Sequence, residues 1–153
     1  MTPLLQSPQD AVLTLHGTCV DVRGNGVLIQ GKPGAGKSSL ALQLIDRGAI
    51  LISDDQTLLS LETEKLVAQS PSPLRGMMEV RGVGLCSFPF QQKAYLKLCV
   101  EICEKEELER LPDNLFVEYH CMRIPLLKLG KYEPLGAVKV ELKLSHKDEY
   151  YVS

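Results

Sequence analysis

Gly31-Lys32-Pro33-Gly34-Ala35-Gly36-Lys37-Ser38 decides the fold, because it satisfies the pattern G-x-x-x-x-G-K-[ST] at every fixed position. The apolar run Val27-Leu28-Ile29-Gln30 precedes it and the helix-like run Ser39-Leu40-Ala41-Leu42 follows. Strand, glycine-rich loop and helix in that order make a P-loop, a phosphate cradle. The glycines let backbone N–H groups approach phosphate oxygens, Lys37 supplies a mobile positive charge, and Ser38 offers a hydroxyl to Mg²⁺. The helix points its positive end at the same place. Gly31 through Ser39 is therefore the expected nucleotide-binding stretch. A turn that is only flexible would leave Lys37-Ser38 and the strand-to-helix placement as coincidence.

Upstream of the loop, Thr14 to Val22 has a β-type pattern, and Arg23-Gly24-Asn25-Gly26 supplies the turn of a hairpin that feeds the loop. Downstream, Leu40, Leu42, Leu44 and Ile45 give the helix an apolar face, and Gly48 stands where a left-handed cap ends it. Ala49-Ile50-Leu51-Ile52 is a buried strand that runs into Ser53-Asp54-Asp55. Leu58 to Leu61 and Lys65 to Ala68 are two short strands, and glycines within Met77 to Leu85 suggest close backbone approach. Strands are expected at Ala94 to Ile102, Phe116 to His120, Arg123 to Leu129 and Ala137 to Leu144, with a turn or short helix at Glu104 to Arg110. Residues 1–11 read as an irregular lead-in, 12–144 as one domain and 145–153 as a charged tail.

Composition limits the function classes. At 153 residues, 44% hydrophobic and 24% charged, the chain suits one globular domain held by aliphatic packing. A net charge of −2 and the absence of Trp argue against nucleic acid as partner. No secretory signal and no membrane-spanning run are evident, so a cytoplasmic protein is expected. Five cysteines (Cys19, Cys86, Cys99, Cys103, Cys121) contain no C-x-x-C pair, which favours reduced thiols. The apolar neighbours of Cys99 and Cys103 favour core packing over metal binding.

A phosphate cradle alone says nucleotide; transfer also needs a base, a metal partner and an acceptor. Asp54 and Asp55 are the candidates for metal partner and base, and on an extended backbone their side chains would point in opposite directions. A turn or helix cap is the alternative for either carboxylate. Glu79 and Arg81 would share one face of a strand, as a Mg²⁺ ligand beside a phosphate-binding guanidinium or as a plain cross-strand ion pair. By composition, His16 reads as a satisfied polar residue and Arg110 as a solvated charge.

Together these residues resemble the catalytic domain of the bacterial HPr kinase/phosphorylase family. His16-Gly17 is similar to its His-Gly element and Gly31 to Ser38 to its P-loop. Arg47-Gly48 with Ser53-Asp54-Asp55 is similar to its R-G…A-D-D segment, and Glu79-Val80-Arg81-Gly82-Val83-Gly84 to its E-I-R-G-L-G signature. The resemblance implies a P-loop α/β domain with a mixed, largely antiparallel sheet, similar to the nucleotide-binding part of phosphoenolpyruvate carboxykinase. It implies an ATP- and Mg²⁺-dependent kinase acting on a serine of the phosphocarrier HPr, with a reverse reaction that uses inorganic phosphate and forms pyrophosphate. His16 would help hold phosphate, Lys37 would bind it, Ser38 and Glu79 would hold Mg²⁺, and Asp55 would be the base. By likeness to a D-R-L element, Arg110 would face phosphate, and Pro125 to Lys131 looks like the loop linked to dephosphorylation. The short lead-in resembles the compact alphaproteobacterial form, and a homo-oligomer is compatible with the family. Two rivals stand beside this reading: a small-molecule kinase on the same scaffold, and an ATP-sensing module that transfers nothing.

Overall fold

The computed structural model describes residues 11–71, 73, 75–104 and 114–146. Its sheet is organised around the long strand β9 (Lys93–Cys103). On one side β9 pairs in parallel with β3 (Asn25–Gln30), the strand that enters the glycine loop. On the other side its first residues pair antiparallel with β6 (Lys65–Gln69), and its last residues run parallel to β11 (Met122–Gly130). Outward from β3 lie β2 (Thr18–Val22) and β4 (Ile50–Ser53); outward from β6 lie β5 (Gln56–Glu62) and β1 (Leu13–His16). β10 (Leu115–Tyr119) covers β11, and all pairings except β3–β9 and β9–β11 are antiparallel. β7 (Met77–Val80) and β8 (Gly84–Ser87) form a separate hairpin.

Alternation sorts the apolar residues onto two faces. Val27 and Ile29 of β3 face α1 (Lys37–Asp46), where Leu40 and Leu44 meet them, while Leu28 joins Cys19, Leu59 and Leu66 on the opposite face. On β9, Leu98 and Val100 join the helix-side core and Cys99 the other. Leu96 lies two residues before Leu98 yet belongs to the second core. The β3–β9 register shifts between Gly26 and Val27, and this extra residue in β9 reverses the alternation, as a bulge does. Helix α1 ends as the sequence indicates: Gly48 has φ +110°, Gly48 N donates to Ile45 O and Ala49 N to Leu44 O, the double bond of a Schellman cap.

Four sequence expectations are corrected. Ala137 to Leu144 is not a strand but part of α2 (Gly136–His146). Its Val138, Val140, Leu142 and Leu144 alternate like a strand, but Ala137 and Val140 are buried whereas Leu142 is 48% exposed, the spacing of a helix packed by one face. Thr14 to Val22 is broken at Gly17, whose N–H donates to Asp55 O at 2.8 Å, and β1 pairs with β5 instead of continuing into the hairpin. Gly82 and Gly84 have no close neighbour; they serve through positive φ, 85° in the β7–β8 turn and 117° at the start of β8. Pro125 to Gly130 lies within β11, and of the expected loop only Lys131 turns. Among the described residues no helix is long and apolar enough to cross a membrane.

Candidate active site

β3 delivers the chain into the loop, where Gly34 (φ +80°) and Gly36 (φ +103°) adopt the left-handed conformations glycine tolerates. Gly36 is the N-cap of α1, and no side chain caps the helix, so its first N–H groups face outward. Such a terminus favours an anion. Lys37 folds back over the loop, its Nζ donating to Gly31 O at 2.9 Å and Lys32 O at 3.3 Å. It is only 9% exposed, so carbonyls hold the ammonium in the hollow of the loop.

Asp54 ties three elements together beside that hollow. Its Oδ1 accepts from Thr18 Oγ1 of β2 at 3.0 Å and from Ser38 Oγ of α1 at 3.3 Å, while Oδ2 accepts from Glu79 N of β7 at 3.4 Å. Asp55 has a different environment. Its N–H donates to Thr18 Oγ1 at 3.1 Å, its carbonyl accepts from Gly17 N at 2.8 Å, and its carboxylate lies 3.4 Å from His16 Nε2. The Asp55 and His16 side chains are 66% and 57% exposed, so both remain open to an incoming group. The two aspartates do diverge, but not through an extended backbone: Asp55 sits in a bend at φ +69°.

The structure thus brings His16, Lys37, Ser38, Asp54 and Asp55 into one neighbourhood. Glu79 reaches it through its backbone N–H, and its side chain forms none of the ion pairs among the described residues. Arg81 does not share its strand: β7 ends at Val80, and Arg81 Nη1 donates to Tyr132 Oη at 3.4 Å. Arg110 lies outside the described residues. No three His, Cys, Asp or Glu side chains gather into a metal cluster among the described residues. A Mg²⁺ site here would combine few protein oxygens with phosphate oxygens, which suits that ion. Ser38 Oγ and Asp54 Oδ1, already 3.3 Å apart, are hard donors of the right kind.

Two residues escaped the sequence reading. Thr18 is fully buried, and its hydroxyl donates to Asp54 while accepting from the Asp55 N–H, so it sets both aspartates. A hydroxyl directly after His16-Gly17 was the available signal. Tyr132 donates from Oη to Gly34 O at 3.2 Å, and Lys131 Nζ lies 5.5 Å from its ring centre. Its only signal was an aromatic beside a lysine in an aromatic-poor chain. The buried thiols behave as expected of core residues: burial pushes Cys99 up to about 12, and Cys19 higher still, so both stay protonated.

A family model described as HPr Serine kinase C-terminal domain matches residues 10–130. The HPr kinase/phosphorylase of Verminephrobacter eiseniae (strain EF01-2) is 36% identical over 127 residues, covering 76% of this chain and 40% of that protein. The HPr kinase/phosphorylase of Clostridium tetani (strain Massachusetts / E88) is 48% identical over 75 residues, covering 49% of this chain and 25% of that protein. The solved structure of the HPr(Ser) kinase/phosphatase from Coxiella burnetii superposes with a TM-score of 0.77 at 26% identity, over 88% of this chain and 96% of that one. The chain belongs to the HPr serine kinase family through its C-terminal domain. It spans about two fifths of the length of the first of these curated relatives.

Proposed function

We propose that this domain transfers the γ-phosphoryl group of ATP, in the presence of Mg²⁺, to a serine hydroxyl of the phosphocarrier protein HPr. The observation that carries the reading is the chain of bonds Ser38–Asp54–Thr18–Asp55, which sets an exposed carboxylate beside the glycine loop. In the forward direction Asp55 takes the serine proton, the serine oxygen bonds to the γ-phosphorus, and the bond to the β-phosphate oxygen breaks to release ADP. Lys37 leaves its loop carbonyls to meet phosphate, and His16 orients Asp55. Ser38 and Asp54 would hold Mg²⁺, with Glu79 at its edge; the ion supplies neutralisation of charge on the phosphate oxygens.

The reverse reaction uses the same groups. Inorganic phosphate attacks phosphoserine-HPr, pyrophosphate forms, and Asp55 returns the proton to the departing serine oxygen. The test is incubation with labelled ATP, Mg²⁺ and purified HPr. Labelled phosphoserine-HPr is the expected product. ATP binding without transfer would favour a sensing module, and transfer only to small molecules would favour the other rival.

A further inference from the structure

The carboxyl ends of the three parallel strands β3, β9 and β11 come level beside the glycine loop: Gln30 pairs with Glu101, and Gly130 with Cys103. Ligands of α/β sheets settle outside such ends. A cavity of about 250 Å³ opens there, between the first turns of α1 and the turn from β11 into α2. Gly36, Ser39, Leu40 and Gln43 form one wall; Leu129 and Tyr132 stand opposite. Leu40 and Leu129 are buried and make an apolar floor, whereas Ser39, Gln43 and Tyr132 are exposed at the rim. An apolar floor with a few polar groups at the mouth suits a flat heterocycle.

The first turn of α1 gives this end of the molecule a direction. Ser38 and Ser39 project about 100° apart around the helix. Ser38 Oγ faces Asp54 at 3.3 Å, while Ser39 lines the cavity. A nucleotide with its terminal phosphate on the Asp54–Asp55 side therefore extends its other end toward Ser39. Resting on the reading of the loop as a phosphate cradle, we infer that this cavity seats the nucleoside of the phosphate donor. Tyr132 is its wall, pressed so close to the loop that a Cβ on Gly36 would lie 3.2 Å from the Tyr132 ring. Glu133 is engaged elsewhere, accepting from Leu135 N and Lys139 Nζ, which fixes the turn that carries Tyr132.

Pyrophosphate separates the two readings, because it occupies a phosphate cradle and has no nucleoside. Titration calorimetry of ADP and of pyrophosphate in Mg²⁺ buffer would compare the unaltered chain with Gln43→Phe and Gln43→Trp, each of which fills the cavity from an exposed helix position. In either variant the ADP dissociation constant should rise at least about tenfold, while that of pyrophosphate stays within about twofold. Unchanged ADP affinity in a folded variant, or equal loss of both ligands, overturns the nucleoside seat while leaving the cradle in place. Failure of the unaltered chain to bind either ligand overturns the cradle and the seat together.

Discussion

Two strand–turn–helix units face each other across the site: β3 leads through Gly31–Gly36 into α1, and β11 leads through Lys131–Leu135 into α2. Both strands run parallel to β9, on opposite sides of it, and both helices contribute to one core. They differ in what holds the turn. In the first unit the backbone does so, through positive φ at Gly34 and Gly36 and an uncapped helix start. In the second, side chains add to the backbone: Glu133 N donates to Gly130 O and Gly136 N to Glu133 O, while the Glu133 carboxylate accepts from Leu135 N and Lys139 Nζ and Tyr132 bonds across to Gly34 O. A turn held by its own backbone keeps its N–H groups available for phosphate. One whose N–H groups bond to carbonyls and a carboxylate within the turn is a wall.

The largest effect should come from the first unit. Lys37→Ala should reduce ATP-dependent phosphorylation of HPr to background while the circular dichroism spectrum is retained, since Lys37 bonds only to loop carbonyls. Normal turnover in that variant would remove the distinction between the units. Next is the proposed base: Asp55→Asn should lower the transfer rate by about 10²- to 10⁴-fold with nucleotide affinity kept. Asp54→Asn should lose less rate but raise the Mg²⁺ requirement, because its amide would face the Ser38 hydroxyl and the Glu79 N–H without a full anionic acceptor. A larger rate defect at Asp54 than at Asp55, with both proteins folded, would exchange the two roles.

The same contrast explains what was legible in the sequence. The glycine turn and the helix that starts at Lys37 could be read because Gly34 and Gly36, at φ +80° and +103°, take conformations that demand glycine at that spacing. Gly48 was legible for the same reason, as the only residue type at ease in that helix cap. The second unit left no such mark. Its helix is written in β-branched residues at even spacing, Val138 and Val140, and becomes helical because α1, β9 and β11 offer a surface to Ala137 and Val140. Tertiary packing overrode a local period-two pattern. Thr18 was hidden for another reason: a single hydroxyl gains its role only when Asp54 and Asp55 arrive from 36 and 37 residues away.

Stability measurements can sharpen the helical reading of the second unit. In a strand, Val140 and Leu142 would share a face and respond alike. In α2, Val140 is fully buried and Leu142 is 48% exposed, so Val140→Ala should cost about 2 kcal/mol and Leu142→Ala no more than about 0.5 kcal/mol. For a domain of this size the first corresponds to a drop in Tm of about 4–8 °C. Equal melting shifts for the two variants would restore the strand.

The smallest expected effect lies where the two units are joined on the surface. Arg47, just past α1, donates through Nε and Nη2 to Glu141 Oε1 of α2, at 3.0 and 2.8 Å. The hydrogen bond from Arg47, and then the attraction of its charge, hold the Glu141 carboxyl below its ordinary value of 4.5. A carboxyl whose native pKa is depressed contributes stability above its unfolded pKa and loses it as pH falls through the native value. The melting difference between the unaltered chain and Glu141→Gln should therefore be constant above the ordinary value of 4.5, shrink below it and vanish at lower pH. Because the Arg47 end of the pair is open to solvent, the difference should be small and should shrink further in high salt. A difference that persists at low pH would mean that Glu141 joins the helices through packing of its stem rather than through its charge.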